Sequence, residues 1–263
     1  MVIVNDIEYP ARANPSIKPY GHLSVNINHP MSQDLVMSLS SNDTMYRTNT
    51  YYKKDNHDLI IGETVTEKGM AFNFDGTKSA MRHYGTYESY DIDVGYSLFM
   101  IFKARPPTRD PSGATGVYLF NKGNKLVFRW HGAFAGGKLS LDNTWGFHWF
   151  PNLFNLYNLE SSPYVPPKWY ILGISSRQDR TLASGAPVTR YTTVYINGFE
   201  AAWLPQGVEH FDRKSFLEFG GNDEAYPGYL DAKLLVCFEW FRTLSEEEQK
   251  SLAISPFQFL NQE

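Results

Sequence analysis

The sequence predicts an all-β fold: an antiparallel β-sandwich of the jelly-roll type, with an extended N-terminal arm and a short C-terminal helix and tail. Three observations favour this fold. Short stretches rich in aromatic and β-branched residues recur along the 263 residues, and such residues are enriched in strands. Turns of Gly, Pro and Asn separate these stretches. Clear helix signals occur only near the C-terminus, and many short strands are typical of sandwiches and barrels.

Hydrophobic periodicity predicts the individual strands. Residues 70–74 alternate between apolar and small or polar side chains, as in a half-buried strand. Residues 96–102 and 169–176 are largely apolar runs of strand length, which indicates strands covered on both faces. Asn197-Gly198 predicts a hairpin with a type I′ turn, because both central residues of that turn need a positive φ.

The C-terminal part predicts a long strand followed by a capped helix. The even positions of residues 230–240 are all apolar, which predicts a strand with one face in a core. Cys237 falls on the opposite face by this alternation, and we expect an inert thiol there. Ser245 and Glu248 have the spacing of a capping box at a helix start, and Pro256 is expected to end that helix.

Composition and charge argue against several classes of function. The formal net charge is −4 at pH 7, so nothing favours electrostatic binding to nucleic acid or to an anionic membrane. The single cysteine excludes an intrachain disulfide. No run of about 18 apolar residues predicts a membrane span, and the N-terminus lacks the pattern of a secretory signal. We therefore expect synthesis in a cytoplasm, with neither nucleic acid nor membrane as a partner.

The chain divides into three predicted segments. Residues 1–45 form an extended arm, because the first part of the chain is rich in Pro, Asn and other polar residues that bury little surface. Residues 46–252 form the jelly-roll domain, and residues 253–263 form a tail with two Phe residues to bury. The arm is expected either to lie over the domain or to dock on a partner.

Several phrases resemble the concanavalin A-like, laminin-G-like jelly-roll domains, whose members include lectins and glucanases. They are "AFNFDGTKSAM" followed by "YSLFMIF", the hairpin "VYINGFEAA", and the closing phrase "FGGNDEAYPGYLDAKLLVCFEWFRTLSEEEQKSL". Together they cover about residues 59–252. The resemblance implies the same two-layer antiparallel fold.

A second resemblance is narrower and concerns the flanks of the domain. "HPMSQDLVMSL" and "SLAISPFQFL" are similar to phrases at the two ends of laminin-G-like proteins encoded by tailed bacteriophages. Gln33-Asp34 replaces the usual Arg-Gly, and Phe257 stands where Trp is usual. The resemblance implies a non-enzymatic virion structural protein, either a head decoration or a component of the tail or fibre. Such a protein would be made in the host cytoplasm, self-associate in the particle and bind other virion proteins through its arm, tail and loops.

The aromatic segment 145–159 supports an alternative hypothesis, a carbohydrate-binding adhesin that recognises a host surface glycan. Sugar rings stack on aromatic faces, while Asn and His hydrogen-bond their hydroxyls. The same side chains also suit packing or a protein interface. The candidate residues for glycan binding or an interface are Trp145, His148, Trp149, Asn152 and Tyr157.

A glycoside hydrolase is the third hypothesis. Hydrolases on this fold carry a signature of the type E-x-D-x-x-E, and Glu88, Asp91 and Asp93 match only part of it. We therefore predict no catalytic residue. No motif predicts zinc or an organic cofactor. Calcium is possible through oxygen ligands in loops, and its candidate ligands are Asp75, Asp223 and Asp231, with Glu224 beside them.

Overall fold

The computed structural model describes residues 18, 23–40, 62–76, 81–84, 95–105, 116–122, 126–131, 139–143, 146–149, 169–181, 187–204, 216–220 and 230–262. Within these ranges the chain forms sixteen strands, one α-helix and one 3-10 helix. Every strand pairing among them is antiparallel. The predicted all-β antiparallel sandwich with a short C-terminal helix is confirmed.

The larger sheet has eight strands. In chain order these are β2 (Leu35–Ser40), β3 (Gly62–Thr66), β4 (Gly69–Asp75), β6 (Tyr96–Arg105), β11 (Trp169–Thr181), β12 (Pro187–Ile196), β13 (Phe199–Leu204) and β15 (Asp231–Trp240). Their spatial order is β13-β12-β11-β6-β15-β4-β3, and β2 also pairs with β15. β4 pairs with the first half of β15 and β2 with the second half.

The smaller sheet has six strands. In chain order these are β5 (Met81–Tyr84), β7 (Gly116–Lys122), β8 (Leu126–His131), β9 (Leu139–Asn143), β10 (Gly146–Trp149) and β14 (Phe216–Phe219). Their spatial order is β10-β9-β8-β7-β14-β5, so β10 is an edge strand of this sheet.

The terminal segments add a third, two-stranded sheet. It pairs β1 (Leu23–Val25) with β16 (Leu260–Gln262). The 3-10 helix η1 (Pro30–Ser32) follows β1, and the α-helix α1 (Glu246–Ile254) precedes β16. Between β1 and the end of the described N-terminal range, the chain therefore forms η1 and then β2.

The first hydrophobic core lies between the two large sheets. The larger sheet contributes residues such as Leu98, Met100 and Phe102 of β6. The smaller sheet contributes Leu119, Phe120, Leu217 and Phe219. Because large apolar side chains enter from both layers, this core is what makes the fold a sandwich.

A second hydrophobic core covers the outer face of the larger sheet. Phe99 and Ile101 of β6 point into it, opposite to their neighbours in the first core. The segments that cover this face supply Met31, Leu244, Leu252, Ala253, Phe257 and Phe259. The prediction that residues 96–102 are covered on both faces is therefore confirmed.

A β-bulge in β15 overturns the prediction of a single apolar face. Leu234 lies opposite Phe102 but Val236 lies opposite Ile101, so Leu235 is an extra residue that shifts the register. Before the bulge the even positions enter the first core, and after it they enter the second core. The predicted position of Cys237 is consequently wrong: its thiol is fully buried in the first core.

The predicted turn and helix signals are confirmed. Asn197 and Gly198 have φ values of 53° and 84°, as a type I′ turn requires. Ser245 and Glu248 form the capping box at the start of α1, and the helix ends two residues before Pro256.

The described parts of the predicted arm and tail lie on the body of the same chain. Residues 35–40 form β2 within the larger sheet, and residues 257 and 259 are buried in the second core. For the described part of the arm, this agrees with the first of the two predicted alternatives, in which the arm lies over the domain. The boundary predicted at residue 45 falls outside the described residues and stays a prediction.

Candidate functional site

The first candidate site is the face of the smaller sheet that lies opposite the inter-sheet core. Leu217 and Phe219 of β14 are buried in that core. Glu218 between them lies on the other face, because successive residues of a strand alternate. Glu218 is 8% exposed. Its register row continues over the five other strands through Arg82, Asn121, Val127, Asp142 and Phe147.

We call this surface the Glu218 face. Residues in one register row of an antiparallel sheet occupy the same face. The row therefore places an arginine, two acids, an asparagine and a phenylalanine at register positions on one side of the sheet. These five residues come from five separate stretches of the sequence, and only the sheet topology brings them together.

Two of the five residues in the sequence-predicted aromatic site lie at the edge of this sheet. β10 contains His148, opposite Leu141, and Trp149, opposite Ser140. Trp149 follows Phe147 by two residues, so backbone alternation gives both positions to the Glu218 face. His148 takes the alternate position. Trp145, Asn152 and Tyr157 lie outside the described residues.

The two acids at described positions of the smaller sheet lie on strands that are not neighbours. Glu218 and Asp142 lie on strands β14 and β9, which are three strand spacings apart, or about 14 Å. Glycosidases hold their two carboxyl groups roughly 5 to 9.5 Å apart. The partial signature of Glu88, Asp91 and Asp93 lies outside the described residues.

The second candidate site lies on the outer face of the larger sheet, and we call it the Trp169 cluster. It consists of Glu67, Asn73, Lys103, Trp169 and Lys233. The last four form one register row across β4, β15, β6 and β11. Lys103 follows Phe102, which is in the first core, so the row faces outward.

Glu67 holds the cluster together from the turn between β3 and β4. Its Oε1 accepts hydrogen bonds from Trp169 Nε1 at 2.8 Å and from Lys103 Nζ at 2.9 Å. Lys103 Nζ also lies 5.7 Å from the centroid of the Trp169 ring, within cation–π range. The hydrogen bond from Lys103 is the main cause that lowers the pKa of Glu67 to about 2, and the bond from Trp169 lowers it further.

The second lysine of the cluster has a neutral partner. Lys233 Nζ donates to the amide oxygen of Asn73. Lys233 lies directly opposite Lys103 on the neighbouring strand. The cluster thus contains two ammonium groups and one carboxylate, and that carboxylate is bonded to Lys103.

Two of the three calcium candidates are adjacent. Asp75 of β4 lies directly opposite Asp231 of β15, while Asp223 and Glu224 lie outside the described residues. The described ranges contain no group of three or more His, Cys, Asp or Glu residues placed to hold a metal ion. Calcium binding at Asp75 and Asp231 therefore stays a prediction.

Comparison with solved structures shows where this fold occurs. Domain 4 of AbnA, a GH43 extracellular arabinanase from Geobacillus stearothermophilus, was solved in complex with arabinotriose. It matches with a TM-score of 0.53 at 14% identity, over 84% of this chain and 98% of that domain. No family model matches the sequence, and no curated protein matches it either.

Receptor-binding domains of clostridial toxins share the fold as well. The binding domain of botulinum neurotoxin DC in complex with rat synaptotagmin II has a TM-score of 0.56 at 11% identity, over 84% of this chain and 51% of that one. The same binding domain in complex with SialylT has a TM-score of 0.56 at 10% identity, with the same coverage. The present chain therefore spans about half the length of these toxin domains. At such identities the likeness shows the β-sandwich fold alone.

Sequence reasoning missed the Trp169 cluster. The sequence places Trp169 at the start of a predicted buried strand, and Lys103 directly follows the apolar run of residues 96–102. The available signal was local: Asn73, Lys103 and Lys233 are polar residues within otherwise apolar strand patterns. Their alignment across four strands depends on the register, which no single segment of sequence contains.

Within the described ranges, no helix is long and apolar enough to cross a bilayer.

Proposed function

We propose that this chain is a non-catalytic carbohydrate-binding domain whose ligand contacts the Glu218 face near its edge strand β10. The observation that carries the proposal is the part of the register row from Asn121 through Asp142 to Phe147, since Glu218 itself is only 8% exposed. Sugar hydroxyls hydrogen-bond carboxylates, amides and guanidinium groups, and the apolar faces of sugar rings pack on aromatic side chains. The row combines these groups on one antiparallel sheet.

The solved neighbours support a binding role over a catalytic one. One neighbour is a domain bound to arabinotriose, and others are receptor-binding domains of toxins. The wide spacing of Glu218 and Asp142 agrees with binding without hydrolysis. A row of polar residues that ends at aromatic positions suits an extended glycan chain.

Titration of the full chain with neutral oligosaccharides tests the proposal. The panel includes arabinotriose and galactotriose, and calorimetry measures each dissociation constant. Trp149→Ala is expected to weaken binding of the best ligand about tenfold, because an aromatic contact of this kind contributes roughly 1 kcal/mol or more. Asn121→Ala is expected to weaken it by a similar factor through a lost hydrogen bond.

A matched control separates the two candidate sites. Trp169→Phe alters a tryptophan on the opposite outer surface and is expected to leave the affinity for neutral ligands unchanged. Unchanged affinity in Trp149→Ala and Asn121→Ala, or no binding of any neutral oligosaccharide at millimolar concentration, would contradict the proposal.

A virion structural role is the second candidate, and one observation favours it. The two phrases that resemble the flanks of phage laminin-G-like proteins lie side by side. The rings of His29 and Phe259 are 6.4 Å apart, and the amide of Asn26 donates to the carbonyl of Phe259 at 2.8 Å. If the two phrases mark the beginning and the end of one domain, we expect them to lie side by side, as they do here.

Labelled particles test the virion role. Antibody against the chain, carrying gold beads, is expected to decorate the head or the tail of phage particles purified from the producing host. Particles that carry no label, together with a chain that remains monomeric in sedimentation at high concentration, would contradict this second role without affecting the first.

A further inference from the structure

Two lysines on the outer face of the larger sheet are placed against each other. Lys233 of β15 lies directly opposite Lys103 of β6. Like charges in directly opposed positions destabilise an antiparallel pair. Both side chains are partly buried, so solvent screens the repulsion less than it would at a fully exposed site.

The negative charge beside this pair is placed unevenly. Glu67 is bonded to Lys103 and Trp169, while Lys233 is bonded to the neutral amide oxygen of Asn73. Within the described part of the chain, Lys233 forms no ion pair. Its ammonium group therefore retains an uncompensated charge beside a second ammonium group.

Further charged residues at described positions lie one register row along this face. Asp75 and Asp231 face each other there, and Arg105 lies opposite Asp231. The row is two residues along β15 from Lys233, or about 6.8 Å. The two rows thus differ in the sign of their excess charge, and the positive excess belongs to the row of Lys233.

We propose that Lys233 and Lys103, with Asn73 and Trp169 beside them, form a binding site for a carboxylate-bearing saccharide such as a chain of hexuronic acids. A carboxylate seated between the two ammonium groups accepts charge-assisted hydrogen bonds from both and removes their repulsion. Asn73 offers an amide N–H to a sugar hydroxyl, and the partly exposed Trp169 ring flanks the site.

The position within the sheet favours a saccharide over an acidic peptide. At Lys233 the strand β15 is paired on both sides, with β4 and with β6. No unpaired strand edge is available there for the backbone of a peptide to join. The ligand must therefore be recognised by side chains alone, and an amide, an aromatic ring and paired ammonium groups suit an acidic sugar. This site lies on the opposite outer surface from the Glu218 face and does not depend on it.

Titration of the full chain with trigalacturonate at low salt tests this site. Calorimetry and tryptophan fluorescence are expected to report binding, and galactotriose, which lacks carboxylates, is expected not to bind here. Lys233→Met should weaken trigalacturonate binding about tenfold or more, because one charge-assisted hydrogen bond is lost. Trp169→Phe should remove most of the fluorescence change while calorimetry still detects the ligand.

Control variants keep the result interpretable. Lys250→Met removes an exposed lysine of α1 and should leave binding unchanged. Lys233→Met relieves the repulsion between the two ammonium groups, so its thermal midpoint should not fall below that of the wild type. Lys103→Met removes the other ammonium group and provides a second variant for the binding measurement. The proposal is overturned if trigalacturonate binds Lys233→Met as it binds the wild type, or does not bind at millimolar concentration. Equal competition by a hexaglutamate peptide would overturn the assignment to a saccharide.

Discussion

Glu67 is a single residue that ties one turn to two other strands. It lies in the turn between β3 and β4, where the hydroxyl of Thr66 donates to the carbonyl of Gly69 at 2.7 Å and fixes the turn. From that position its carboxylate reaches Lys103 of β6 and Trp169 of β11. The side chain of Glu67 is 58% exposed, so solvent weakens the ion pair.

The stability contributed by Glu67 should depend on pH. Its pKa is lowered from 4.5 to about 2 in the folded state, so its contribution is present above pH 4.5 and is lost as the pH falls towards 2. At pH 6 we expect Glu67→Gln to be less stable than the wild type by up to about 1 kcal/mol. Urea unfolding between pH 6 and pH 2 should show this difference shrink, and a difference that stays constant over the range would contradict the assignment.

One residue also explains the main error of the sequence-based description. The alternation of residues 230–240 predicted a strand with one apolar face, but Leu235 forms a bulge and moves the later residues to the other face. Because both faces of this strand are buried from Leu234 onward, apolar residues suit either side there. A bulge of this kind has no local signal, since the burial that tolerates it comes from strands and helices elsewhere in the chain.

At the scale of elements, the terminal segments act together as a cover for the larger sheet. Trp240 Nε1 donates to the carbonyl of Met31 at 2.7 Å, which joins η1 to β15. The Phe259 ring packs edge-on against Phe238 at 4.9 Å and against Trp240 at 6.1 Å. Two segments more than two hundred residues apart in sequence therefore close one core.

Removal of one ring from this cover should destabilise the whole fold. Phe259 is fully buried, so Phe259→Ala is expected to lower the free energy of unfolding by about 3–5 kcal/mol. Ile254→Ala, a few residues away at an exposed position, should change it by less than about 0.5 kcal/mol. Denaturant titration measures both, and a small effect of Phe259→Ala would show that the tail is not part of the core.

Elements whose signals lie within a few residues could be predicted from the sequence, and elements that depend on distant strand partners could not. The turn at Asn197-Gly198 and the capping box at Ser245 follow from residue types a few positions apart. The pairing of β1 with β16 joins the two ends of the chain, and no local pattern encodes it. The same reason explains why the sequence predicts an arm at residues 35–40, which pair with β15 in the larger sheet.

At the scale of the whole molecule, the two sheets have different outer surfaces. The outer face of the larger sheet is closed by α1 and the terminal segments over most of its apolar part, and it leaves the Trp169 cluster at one end. The outer face of the smaller sheet carries the register row that defines the Glu218 face. The two proposed ligand surfaces consequently lie on opposite sides of the sandwich.

Hydrogen exchange of the full chain with and without a bound neutral glycan locates the carbohydrate-binding surface. We expect slower amide exchange in β8, β9 and β10 when the glycan is bound, with no change around Trp169 in β11. Protection confined to the larger sheet, or no change at saturating glycan, would contradict the assignment of the Glu218 face as the carbohydrate-binding surface.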